Sequence, residues 1–216
     1  GRAQGTATNV VEFDPSWPVL ERFRCPTGWK PDEEKGYEES TLLANRVEDP
    51  ETHVSFILLP GTEVPTYIAE TELTVGQFNQ WPEGEDKEGL ETLSVTGIRW
   101  PVANKYCKSH RYDLPTAEEW RAACLAGSTG PYPRGIDEKN LPRHAWHQWT
   151  TKKEGPPPSS PSPVGKRDPN DYGLHDMLGN VWEMCQGMVK LGGCYLSDAH
   201  LCSADAKSSA TGPNGA

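Results

Sequence analysis

Val54 to Leu59 is a nearly continuous apolar run closed by the turn pair Pro60-Gly61, and it reads as a strand buried in a core. Thr66 to Leu73 is a second strand candidate. The period then changes. Thr74 can cap a short helix running through Gln77, Phe78 and Trp81, because Gln77 falls at the third helical position, where a capping box needs it. From Trp100 to His110 the apolar residues Val102, Ala103, Tyr106 and Cys107 recur at helical spacing, with Pro101 tolerated in the first turn. Thr116 ahead of Ala117-Glu118-Glu119-Trp120 repeats the capping box, and Trp120, Ala123 and Cys124 fall on one face of the helix it opens. Residues 1–50 hold isolated anchors at Trp17, Phe23 and Trp29 without a sustained period, which predicts an extended arm packed on a domain spanning 51–216. Gly127 to Arg143 is turn-rich, and Gly155 to Pro163, with five Pro and three Ser, reads as a loop.

Composition narrows this picture. A chain of 216 residues suits one large domain. Its 20 Pro, 21 Gly and 35% hydrophobic residues argue against long regular helices, while eight Trp are too many for a disordered chain. The aromatic anchors Trp100, Trp120 and Trp182 are expected in the core, since each sits in an apolar motif. A formal net charge of −10 with no Lys/Arg stripe disfavours nucleic acid as a partner. No run reaches the apolar length of a membrane span, and the opening Gly1-Arg2-Ala3-Gln4-Gly5 lacks a signal-peptide pattern. The six Cys show no zinc-knuckle spacing.

Candidate chemistry concentrates in Tyr172 to Glu183. Asp176 and Glu183 are hard oxygen donors, and the intervening Gly179 lets backbone carbonyls turn toward the same point, as calcium requires. The plainer alternative is that Asp176 caps a turn and Glu183 takes a salt bridge. His144 and His147 stand three apart but find no further ligand at a recognisable metal spacing. Gly127 to Gly130 lacks the strand-loop-helix context and the Lys of a phosphate loop, and no Gly-x-Ser-x-Gly elbow occurs.

The same turn, with Leu114-Pro115-Thr116-Ala117-Glu118-Glu119-Trp120 and Gly192-Gly193-Cys194-Tyr195, resembles the formylglycine-generating enzyme (sulfatase-modifying factor) family. Further pieces follow in family order: Phe56 to Gly61, Tyr67 to Phe78, Ile98 to Cys107 and Tyr132 to Gly135. The resemblance runs from about Val54 to Cys202, and the family's closing Gly-Phe-Arg strand has no counterpart. It implies an α+β fold, an irregular and loop-rich variant of the C-type lectin scaffold with short strands and two or three short helices.

Carried over by position, the family's calcium site would use the side chains of Asp176 and Glu183 with the carbonyls of Gly179 and Val181. A second family calcium site would fall between Ala145 and Pro158, where His147, Lys152 and Lys153 replace its oxygen donors, so one calcium is expected. Active members hold copper(I) on two cysteines five residues apart, and oxidise a substrate Cys to formylglycine. Those positions are Ser197 and Cys202, with Cys194 at the preceding Ser position. A hydroxyl does not replace a thiolate on a soft monovalent ion, so the catalytic constellation of Cys194, Ser197 and Cys202 is degenerate and copper is not expected. The resemblance therefore implies a non-catalytic, calcium-stabilised binding or accessory domain, a pseudoenzyme that presents a groove or loop surface to a protein or peptide partner. The alternative is a copper-dependent oxidase that uses Cys202 with Cys194. Bacterial relatives attached to protein kinases or other signalling modules imply a longer chain. Cys107 and Cys124 match disulfide positions of secreted relatives, but the partner position of Cys124 is Lys207, which points to reduced cysteines and a bacterial cytoplasm.

Overall fold

A computed structural model describes residues 30–31, 37–38, 43–44, 46–61, 66–79, 90–154 and 160–210. Trp17, Phe23, Trp29 and Trp81 lie outside the described residues. The chain enters through four short strands, β1 (Lys30–Pro31), β2 (Tyr37–Glu38), β3 (Leu43–Ala44) and β4 (Arg46–Glu48). The apolar run at Val54 forms β5 (Ser55–Leu58), whose alternation buries Phe56 and Leu58 and leaves Ser55 and Ile57 half-covered. β6 (Tyr67–Ala69) pairs antiparallel with it, Leu58 opposite Tyr67 and Phe56 opposite Ala69, giving a sheet of order β1-β4-β5-β6. The second strand is shorter than its sequence suggested, because the chain bends away at Thr71 to open a helix.

That helix is α1 (Val75–Asn79), and its predicted capping box is present: Gln77 N–H donates to Thr74 Oγ1 at 3.2 Å, and Thr74 N–H donates to Gln77 Oε1 at 3.0 Å. The helix α2 (Trp100–Ser109) starts with Pro101 in its first turn and buries Ala103 and Tyr106. In α3 (Ala117–Leu125) the Thr116–Glu119 box is reciprocal, each backbone N–H donating to the other's side chain, and Trp120, Ala123, Cys124 and Leu125 are buried. Each such cap contributes about 1 kcal/mol. The helix ends at Ala126, in the left-handed region at φ 45°.

The hydrophobic pattern does not announce α4 (Gln148–Glu154). Its sequence has no apolar stripe, and it starts because Thr150 Oγ1 accepts from His147 N–H at 2.8 Å. The last strands, β7 (Glu183–Cys185), β8 (Val189–Leu191) and β9 (Lys207–Ser209), form an antiparallel sheet. Two apolar cores result. One gathers Val47, Phe56, Tyr67, Tyr106 and Tyr112 beneath the first sheet. The other surrounds Trp120, which is 0% exposed, with Leu141, Leu174, Leu178, Cys185 and Cys202.

Two of the three expected core tryptophans are not in either core. Trp100 and Trp182 are half-buried, and the Trp100 indole N–H donates to the Cys185 carbonyl at 2.8 Å. Apolar neighbours in sequence suggested burial of both, but the packing leaves each ring partly exposed.

Candidate functional site

The turn from Asp176 to Glu183 runs between the Trp120 core and the β6–α1 connection. Asp176 adopts φ 56° and is 2% exposed. Its Oδ2 accepts from Gly165 N–H at 2.6 Å, while Oδ1 is buried with no hydrogen-bond partner. Glu183 Oε1 is also sealed from water and unpartnered. Burial pushes the Glu183 carboxyl up to about 8, against a lowering pull from the nearby Trp120 indole and with a smaller push from the Asp176 charge. Burial likewise raises Asp176 above its ordinary range. Among the described residues no cation pairs with Glu183.

Gly179 is required between the two carboxylates. It sits at φ 81°, and a Cβ there would collide with the Trp146 carbonyl. Its N–H donates to Gly192 O at 2.8 Å, and Asn180 N–H donates to Trp146 O at 2.7 Å, so the turn is stitched to the end of β8 and to the segment ahead of α4. Among the described turn and loop bonds, neither the Gly179 nor the Val181 carbonyl accepts a backbone N–H.

Sequence reasoning gave no role to Glu72, which belongs to this site. It is buried, its Oε1 accepts from Val181 N–H at 2.9 Å, and its Oε2 accepts from Asn180 Nδ2 at 2.6 Å and from the Ser94 hydroxyl. Burial, then the charges of Asp176 and Glu183, raise its carboxyl well above the ordinary value. The available signal was the Glu of the Tyr67 to Phe78 piece, which carried no chemistry when read alone.

The donors are of the kind a hard cation of calcium type takes: Asp176 and Glu183 each keep one buried, orphaned carboxylate oxygen, alongside backbone carbonyls. No group of three or more His, Cys, Asp or Glu side chains assembles as a metal centre among the described residues. Backbone oxygens would therefore supply part of any shell. At the second family position, His147 is buried and stacks on Trp149 with centroids 6.5 Å apart, and Lys153 Nζ lies 4.9 Å from the Trp149 ring. Cations and rings stand there in place of oxygen donors.

The degenerate catalytic positions do come together. Cys194 N–H donates to Ser197 Oγ at 3.0 Å, the Cys194 thiol lies 3.4 Å from the same oxygen, and Ser197 N–H donates to Cys194 O at 2.9 Å. Cys202 Sγ lies 3.8 Å from the Cys194 carbonyl, and burial pushes its thiol up to about 12. Gly193, at φ 84°, leaves no room for a side chain, because a Cβ would lie 2.4 Å from the Leu201 carbonyl oxygen and 3.0 Å from Cys202 Sγ. The described cysteines Cys107, Cys124, Cys185, Cys194 and Cys202 are free.

Comparisons with known proteins agree with this geometry. Residues 33–212 match the model of the sulfatase-modifying factor enzyme 1-like domain. The chain is 37% identical over 101 residues to the inactive C-alpha-formylglycine-generating enzyme 2 of Bos taurus, covering 45% of this chain and 33% of that protein. It is 35% identical over 109 residues to the formylglycine-generating enzyme of Mycobacterium tuberculosis, covering 47% and 36%. It is also 34% identical over 100 residues to the serine/threonine-protein kinase pkn1 of Chlamydia pneumoniae, covering 45% and 14%. The chain thus spans about a third or less of the length of these relatives. The solved structure of PvdO from Pseudomonas aeruginosa superposes with a TM-score of 0.59 at 16% identity, over 76% of this chain and 90% of that one, and so shares the fold. An α+β, loop-rich architecture, a glycine-built turn between two carboxylates and a family match over most of the chain together show that it belongs to the sulfatase-modifying factor, or formylglycine-generating enzyme, family.

Proposed function

We propose that the domain is a non-catalytic binding module of this family, stabilised by one calcium ion, that presents a surface to a protein or peptide partner. The observation that carries this reading is the engagement of Ser197. Its hydroxyl closes a turn with the Cys194 backbone at the position where an active member holds a copper thiolate. A neutral hydroxyl is a poor ligand for a soft monovalent ion, and Cys202 alone offers one thiolate. Beside this loop lie three exposed apolar side chains, Trp149 at 54%, Leu196 at 53% and Leu201 at 43%. The first is tied to the loop by Gln148 N–H donating to Ser197 O at 2.9 Å. Apolar side chains of this size grouped beside a lapsed site suit a partner's contact better than open water.

Calcium would be held by Asp176 and Glu183 with the Gly179 and Val181 carbonyls, its charge relieving two buried carboxylates that otherwise cost stability. The bovine relative is named as inactive, and the chlamydial one is a kinase, which supports an accessory role within a longer chain. The reading goes with a reducing compartment, in which the buried thiols of Cys124, Cys185 and Cys202 stay free.

The second reading, an oxidase, is favoured by one observation: Cys202 Sγ lies 3.8 Å from the Cys194 carbonyl, which sets the two cysteines side by side. Titration with copper(I), followed by mass spectrometry of a Cys-x-Pro-x-Arg peptide incubated in air, separates them. The binding module takes up no copper into a thiolate pair and leaves the peptide thiol intact. An aldehyde that depends on both Cys194 and Cys202 establishes the oxidase.

A further inference from the structure

The carbonyls of Gly179 and Val181 belong to a turn whose orientation is not set within the turn. Val181 N–H points at Glu72 Oε1, 2.9 Å away, and the Asn180 side chain donates to Glu72 Oε2 at 2.6 Å. Asn180 adopts φ 49°, so this residue needs outside support to stay in the left-handed region. It gets that support from several segments. Its Nδ2 also donates to Ser94 Oγ at 2.8 Å and to Ser162 O at 3.2 Å, and its Oδ1 accepts from Ser162 N–H at 2.9 Å. Ser94 in turn donates to Glu72, so Glu72, Ser94 and Asn180 close a ring of hydrogen bonds. All three residues are buried.

We infer that Glu72, on the β6–α1 connection, is a positioning residue for the cation site: by gripping the Asn180 side chain and the Val181 N–H it holds Asn180, the residue that joins the two ligating peptide carbonyls of the turn. The inference rests on the calcium reading above and extends it to a residue that does not ligate. A peptide unit is planar, so the Val181 N–H bond to Glu72 fixes the Asn180 carbonyl, while the Gly179 carbonyl is fixed through Asn180 N–H donating to Trp146 O at 2.7 Å; the Glu72 grip on Asn180 holds these two planes, and with them the ligating carbonyls on either side, in register. Such outer partners of a metal site commonly change its affinity by about 10- to 100-fold when they are altered. Glu72→Gln keeps the shape of the side chain but puts an NH2 group where one of its two oxygens now accepts. Either Val181 N–H or the Asn180 amide then faces a donor, and the turn must shift.

Calorimetric titration of the whole 216-residue chain with calcium, below the melting midpoint of the chelated protein, tests this. Wild type should bind one calcium, and Glu72→Gln should bind it about 10- to 100-fold more weakly. A purely structural Glu72 would lower the melting midpoint of the chelated variant and leave its calcium affinity at the wild-type value, and that result overturns the inference. If Glu72→Gln does not fold, Ser94→Ala takes its place, since it removes one link of the ring and keeps the Val181 bond. Several-fold weaker binding is then expected, and wild-type affinity overturns the inference. Failure of the wild type to bind calcium would instead remove the calcium reading itself, and this inference with it.

Discussion

Ser197 Oγ accepts the Cys194 backbone N–H at 3.0 Å and lies 3.4 Å from the Cys194 thiol, so this hydroxyl is a structural part of the loop. Turning that oxygen into sulfur is a direct test of the alignment. Ser197→Cys should gain one copper(I) per chain, seen as thiolate-to-copper absorption, because two soft ligands then stand in the family positions. No gain of copper would mean that Ser197 and Cys202 are not the equivalent pair.

Calcium removal should be felt as lost stability. A ligand bound only to the native state adds about 2.7 kcal/mol at a hundredfold excess over its dissociation constant. Chelation is therefore expected to lower the melting midpoint of the wild type, and Glu183→Ala should make the midpoint insensitive to both chelator and added calcium. Identical melting curves with and without calcium would refute the site.

The pH dependence of the calcium-free protein follows from the same group. Glu183 is raised from 4.5 to about 8, chiefly by burial, with the Trp120 indole pulling it down and the Asp176 charge adding a smaller push. A raised acid holds its proton in the native state while the unfolded chain has released it. Its contribution is fully present below the unfolded value and is lost as pH rises through the folded one. Stability of the chelated protein should thus fall between 4.5 and about 8, by up to about 1.4 kcal/mol per pH unit for this one group. Saturating calcium should flatten the slope, since it favours the ionised carboxylates. Chemical denaturation across this range, with and without calcium, measures both.

Trp120 and Trp182 should respond differently to truncation. Trp120 is fully buried and belongs to the second core, so Trp120→Ala should cost about 3 to 5 kcal/mol. Trp182 is partly exposed and lies outside both cores, so its truncation should cost clearly less. Equal losses in denaturant midpoints would show that Trp182 carries more packing than its exposure indicates.

Substitution of the exposed apolar side chains tests the surface. Trp149→Ser and Leu196→Ser should each change stability by no more than about 0.5 kcal/mol, the usual range for surface positions. Losses above this would place them in a packed interior.

The parts legible in the chain alone are those satisfied by near neighbours. Both capping boxes, the strand at Val54 and the helix carrying Trp120 depend on atoms a few residues apart, and the structure forms each where the pattern put it. The glycine between Asp176 and Glu183 was readable for the same reason, because its backbone conformation is a local requirement. Tertiary structure alone decided the rest. Glu72 meets Val181 109 positions away, and neither residue's local sequence encodes that meeting. The partial exposure of Trp100 and Trp182 likewise reflects which surfaces the sheets and helices bring together. The start of α4 hangs on one threonine hydroxyl rather than on an apolar stripe. Periodicity reports which face of an element is apolar, while burial of a charge, and what grips it, is settled only when distant segments exclude the water between them.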